Sequence, residues 1–155
     1  VPDYLQEGVL RTRPSVATLA SAMDVGAPSN LERLSALHPD AASLGGALGA
    51  DWVDDEAIRA RIRNDYRRTD WVRSRVTWCP HTAVAAEVYE RLSAERRARG
   101  RWILVATAHP AKFREVVEPL IGAQVPVPEN LARLYERPSS AVDIDATLAS
   151  LKAAL

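Results

Sequence analysis

Lysine is nearly missing from this chain: of its twenty basic residues, only Lys112 and Lys152 are not arginine. A Schiff-base enzyme needs a lysine amine as covalent anchor, so the candidates within the chain are few. Cysteine is scarcer still. The single Cys79 excludes a disulfide framework within the chain and fits a reducing compartment, so a cytoplasmic setting is expected. Net charge is absent as well, 20 positive side chains against 20 negative. No global field therefore favours nucleic acid or an anionic membrane. No apolar run approaches the length of a membrane span, and the first residues do not resemble a signal peptide. An initiating methionine is also lacking; the chain begins at Val1 and is expected to be a piece of something longer.

What is present suits a folded domain. The 155 residues suffice for one domain with a real core, and 47% hydrophobic with 26% charged residues is ordinary for a globular protein. No internal repeat or low-complexity segment is evident.

Local patterns predict mostly helix. Residues 1–13, with Pro2 and then Pro14 bracketing Tyr4, Leu5, Val9 and Leu10, read as irregular. Val16, Leu19, Ala20 and Met23 recur at helical spacing and predict a short helix over 15–23. Ser29 and Glu32 form a capping box for a helix through Leu31, Leu34 and Leu37, which His38-Pro39 ends. Gly45, Gly46 and Gly49 make 44–53 a loop. Asp54 caps a helix carrying Ile58, Ile62 and Tyr66, with arginines spread over a solvated face interleaved with acids.

A short strand is expected within 71–78. Cys79-Pro80-His81-Thr82 then opens a long helix that Gly100 stops. The run Trp102-Ile103-Leu104-Val105-Ala106 reads as a buried strand entering a helix that starts at Pro110 and closes at Gly122. Pro128 opens a short helix, and Asp143 caps a last one with Ile144, Leu148, Leu151 and Leu155 on one face. Many helices against one or two strands give an α/β class, as the helix-rich part of a doubly wound domain and not the whole of it.

Cys79, His81, His109 and His38 are the available soft or imidazole ligands, but no paired spacing such as C-x-x-C occurs, so no metal site is expected. Cys79 with His109 or His81 has the form of a nucleophile pair, yet no protease signature surrounds it. Gly45-Gly46-Ala47-Leu48-Gly49 matches neither G-x-G-x-x-G nor the P-loop. Lys112, within the first helical turns after Pro110, reads as a helix-surface lysine. Thr107 stands where ligands sit in open α/β sheets, beyond the carboxyl end of a strand. Two readings of it are equally supported: a cap for the next helix, or a hydroxyl offered to a ligand.

Four stretches carry a family likeness. They are Ala22-Met23-Asp24-Val25 with Pro28-Ser29-Asn30-Leu31-Glu32-Arg33, Asp54-Asp55-Glu56-Ala57-Ile58, Pro80-His81-Thr82-Ala83-Val84-Ala85, and Thr107-Ala108-His109-Pro110-Ala111-Lys112-Phe113. In this order they resemble the C-terminal portion of threonine synthase, a fold type II pyridoxal 5'-phosphate enzyme of the tryptophan-synthase-β-like class. The likeness spans most of residues 1–134.

That resemblance implies the conversion of O-phospho-L-homoserine and water into L-threonine and phosphate. It implies a single fragment over 1–155, the C-terminal part of an incomplete three-layer α/β/α sheet. By the same resemblance, Thr107 is the cofactor-binding residue, its hydroxyl facing the pyridine nitrogen. The Schiff-base lysine and the phosphate loop belong to an N-terminal portion absent here, so the fragment alone is expected to be inactive. Its partners would be the small-molecule substrate and that missing portion, with self-association of the lone fragment expected and neither nucleic acid nor membrane. The family usually has Asp where Cys79 stands, and a thiol is a poor acceptor, which predicts a weakened helix cap costing about 1 kcal/mol. Two other readings compete: another pyridoxal-phosphate lyase of the same fold, and a stand-alone helical interaction or regulatory module. The sequence does not reveal the roles of Asp24, Asn30, His81 and His109, each of which sits where a cap or buried polar bond would serve.

Overall fold

A computed structural model describes residues 1–68 and 76–155. It divides into two compact units, Val1–Val125 and Pro126–Leu155. Among the described residues every regular element is helical and none is a strand.

The first unit opens with α1 (Pro2–Glu7), where the sequence reading had an irregular start. Pro2 lies in the first turn, and Gly8 ends the helix at φ 73°, a left-handed conformation natural to glycine. The helix expected over 15–23 shrinks to a 3-10 turn at Ser21–Met23. Side chains capture the backbone donors it would have used. Thr18 donates its N–H and its hydroxyl to the Asp24 carboxylate at 2.7 and 2.6 Å, and Leu19 N–H donates to Asp55 Oδ1 at 2.9 Å. Asp24 thereby acquires a structural role.

Helix α2 (Leu31–Leu37) forms where predicted and ends at His38, but without the capping box. Asn30 takes the cap position with no side-chain bond, and Glu32 N–H donates to the Ser29 carbonyl instead. Helix α3 (Ala41–Ala47) replaces the start of the predicted glycine loop. Asp40 accepts from Ser43 N–H at 2.7 Å, and Leu44 is 1% exposed. The cap and that burial outweigh the entropic cost of Gly45 and Gly46 within the helix.

Helix α4 (Asp55–Arg67) follows its prediction, with Asp54 Oδ1 accepting from Ala57 N–H at 2.8 Å. It packs on α5 (Pro80–Arg91) and α7 (Arg114–Ile121). Ile58 and Ile62 on α4, Ala83 and Ala86 on α5, and Val117 on α7 are fully buried. The alanines let the α4 backbone approach closely, and each isoleucine contributes roughly 2–3 kcal/mol of burial.

The long helix expected to reach Gly100 breaks after Arg91. Leu92 turns extended, and Ser93 caps the short α6 (Ala94–Ala98) by accepting from Arg96 N–H at 3.2 Å. Pro110–Phe113 forms a 3-10 turn leading into α7, which Gly122 closes at φ 66° as predicted. In the second unit, α8 (Glu129–Tyr135) begins after Pro128, also as predicted. Helix α9 (Leu148–Ala154) starts later than expected, because Thr147 caps it and not Asp143. Ile144 lies before that helix and is exposed.

The predicted buried strand is the largest departure. Residues 102–106 form no strand, and Trp102, Ile103 and Val105 are 47%, 85% and 67% exposed. An apolar run becomes a strand when a neighbouring backbone accepts its ladder bonds, and the described residues contain no such neighbour. Most of the other expected strand, within 71–78, lies outside the described residues; 76–78 adopt no regular structure.

Candidate functional site

The N-terminus of α5 and the 106–110 loop come together around one cavity of about 390 Å³. Thr77, Trp78, Cys79 and Thr82 line one side, and Ala106, Thr107, Ala108, His109 and Pro110 the other.

Cys79 is the helix cap in spite of its poor acceptor chemistry. Thr82 N–H donates to its sulfur at 3.4 Å, and the two side chains meet with Sγ and Oγ1 3.1 Å apart. Both residues are about 1% exposed, which compensates for the weakness of the cap. Thr82 also reaches across the cavity wall: Thr107 N–H donates to its Oγ1 at 3.4 Å. Sequence reasoning missed Thr82. The available signal was its position three residues after Cys79, in a first turn that proline makes rigid.

Thr107 lines the cavity, and among the described residues its hydroxyl makes no hydrogen bond. The capping role that competed for it belongs to His109, whose Nδ1 accepts from Ala111 N–H at 3.2 Å. Lys112 is exposed, as a helix-surface lysine should be.

The neighbouring imidazole is structural too. His81 is 7% exposed, its Nε2 accepts from Ala22 N–H at 3.1 Å, and its ring centroid lies 5.1 Å from that of Phe113. It therefore ties the Ser21–Met23 turn, α5 and the Pro110–Phe113 turn together. With Nε2 as acceptor, a neutral ring carries its proton on Nδ1, which is buried without a partner among the described residues. Neither His81 nor His109 bonds the Cys79 thiol, so no Cys–His nucleophile pair is assembled. His38 lies elsewhere, its Nδ1 3.2 Å from Ser43 Oγ. No group of three metal-ligating side chains occurs among the described residues.

Behind the cavity an ionic lattice joins α4 to α5. Arg61 reaches Asp65 Oδ1 at 3.0 Å and Glu87 Oε2 at 2.9 Å, and Asp65 is 2% exposed. Burial works against the Arg61 cation, and its bonds to the two carboxylates overcome this, leaving its pKa above the ordinary value. The second Asp65 oxygen accepts from the Trp78 indole N–H at 2.8 Å, beside the cavity. Arg91 bonds both Glu87 and Asp51, and Arg68 and Arg97 share Glu90. The arginines of α4 that pattern alone placed on a solvated face thus include one, Arg61, that is largely buried and paired.

Among the described residues no helix is long and apolar enough to cross a membrane. Residues 82–155 match the family described as "Threonine synthase, C-terminal". Threonine synthase of Haemophilus influenzae is 34% identical over 159 residues, an alignment covering 100% of this chain and 34% of that protein. The Escherichia coli enzyme is 31% identical over 152 residues, covering 98% and 33% respectively. A crystal structure of threonine synthase from Escherichia coli superposes with a TM-score of 0.73 at 29% identity, over 99% of this chain and 34% of that one. The chain thus spans about a third of the length of the relatives it matches. Sequence and fold agree, and the chain is homologous to the C-terminal part of threonine synthase over essentially its whole length.

Proposed function

We propose that this chain serves as the C-terminal part of a pyridoxal 5'-phosphate-dependent enzyme converting O-phospho-L-homoserine and water into L-threonine and phosphate. The supporting observation is the cavity at the N-terminus of α5, where Thr107 presents a hydroxyl that no neighbouring described residue engages. Its volume, about 390 Å³, is in the range of small-molecule sites and admits a pyridine ring. The described lining residues offer hydroxyls and small apolar walls, and no carboxylate is among them. That chemistry suits the ring end of the cofactor, which when bound supplies an electron sink for the amino-acid substrate.

Thr107 is the residue that holds the pyridine nitrogen. A neutral hydroxyl there does not keep the nitrogen protonated as a carboxylate would, so it tempers the sink. Lys112, exposed, is not the covalent anchor. The anchor and the phosphate-binding loop come from the remaining two thirds of a threonine-synthase-like polypeptide. The same portion covers Trp102, Ile103 and Val105 and supplies the strand that the 102–106 run pairs with. A cytoplasmic setting goes with this reading.

The test is Thr107→Val in the full-length polypeptide. The expected result is a shifted cofactor absorbance and lower turnover with the fold intact. Absorbance and turnover both equal to the parent's would overturn the assignment.

A further inference from the structure

We infer that Thr82 is a positioning residue for Thr107, with Cys79 fixing the direction of its hydroxyl; the inference rests on the reading of Thr107 above. Thr82 Oγ1 accepts the Thr107 backbone N–H at 3.4 Å, joining two cavity walls that are 25 residues apart in sequence. The same hydroxyl meets Cys79 Sγ at 3.1 Å, where either atom can donate while an oxygen lone pair stays with the Thr107 N–H, so the contact with sulfur limits how the hydroxyl turns.

The sulfur also accepts Thr82 N–H at 3.4 Å, so the Thr82 backbone and hydroxyl are both referred to one atom. Thr82 and Cys79 are about 1% exposed, and water does not compete for either bond. The 106–109 loop belongs to no helix or strand, so few other bonds hold its backbone. The Thr82 contact therefore sets the rotation of the Thr107 backbone, and with it the direction from which the Thr107 hydroxyl enters the cavity.

The test compares Thr82→Val, which keeps the side-chain shape and removes the hydroxyl, with Thr82→Ser, which keeps the hydroxyl. Both are made in the full-length polypeptide, beside Thr107→Val. The first readout is amide hydrogen exchange at Thr107 without cofactor. Thr82→Val is expected to exchange there about tenfold faster than the parent, and Thr82→Ser to restore protection. The second is the absorbance of bound pyridoxal phosphate, which should move in Thr82→Val in the same direction as in Thr107→Val. Unchanged exchange and absorbance in Thr82→Val, with a shifted Thr107→Val spectrum, would overturn the positioning role and leave the Thr107 reading standing. An unshifted Thr107→Val spectrum would remove the Thr107 reading and the positioning role together.

Discussion

The indole N–H of Trp78 donates to Asp65 Oδ2 at 2.8 Å while Arg61 holds the other oxygen of the same carboxylate at 3.0 Å. One buried acid on α4 thus serves both the helix-to-helix lattice and the wall of the cavity. Replacing it with leucine removes the acceptor that the indole and Arg61 share. Asp65→Leu should cost on the order of 3 kcal/mol in urea unfolding. Asp65→Asn, which keeps an acceptor for Trp78, should cost distinctly less. Equal losses would mean that the indole bond adds nothing.

Gly26 is required for a different reason. A methyl group there would sit 1.7 Å from the Arg13 carbonyl oxygen, at a close backbone approach where Arg13 N–H donates to the Gly26 carbonyl at 3.1 Å. Backbone, unlike a flexible side chain, cannot swing aside. Gly26→Ala should therefore destabilise the chain by more than about 1 kcal/mol. Gly45→Ala, with open space around its Cβ and a helical position, should stabilise α3 slightly. Thermal unfolding of the two variants checks the contrast.

Glu118 gives a pH dependence. Its bond from Arg114, then the backbone N–H of Val125, hold its carboxyl below the ordinary 4.5. A depressed acid contributes stability that is fully present above the ordinary value and lost as pH falls through the folded one. Glu118→Gln should thus be less stable than the parent at neutral pH, with the gap closing in acid below 4.5. A gap that stays constant with pH would show that the charge is not what Arg114 and Val125 recognise.

Lys112 separates the two lysine readings. Because it is exposed on the turn after Pro110, Lys112→Ala should change stability by less than about 0.5 kcal/mol. In the full-length polypeptide it should leave covalent cofactor attachment intact, and this chain on its own should take up no stoichiometric covalent cofactor. Loss of attachment in the variant would make Lys112 the anchor.

Much of the helical frame was legible in the sequence because its signals are local. Asp54 as a cap, Pro80 and Pro110 in first turns, and Gly122 as a left-handed stop each act within a few residues. Helix α1 carried the same signals, Pro2 at its start and Gly8 at its end, but shows no buried stripe to reveal it. Helix α3 was hidden because glycine content weighed more than Asp40 and Leu44, whose contributions depend on tertiary burial. The strand failed for the opposite reason. Residues 102–106 have the apolar pattern, but a ladder partner is not written in the pattern. At the site, Thr107 drew notice by its place just after the apolar run and Thr82 did not, since a contact across 25 residues leaves no local trace.

The most direct measurement of the central claim is product analysis. Full-length polypeptide carrying this chain, loaded with pyridoxal 5'-phosphate, is given O-phospho-L-homoserine, and threonine and phosphate are quantified together. Equal amounts of L-threonine and phosphate, falling in Thr107→Val, are predicted. Phosphate release without threonine, or no reaction on this substrate by protein that binds the cofactor, would contradict the account.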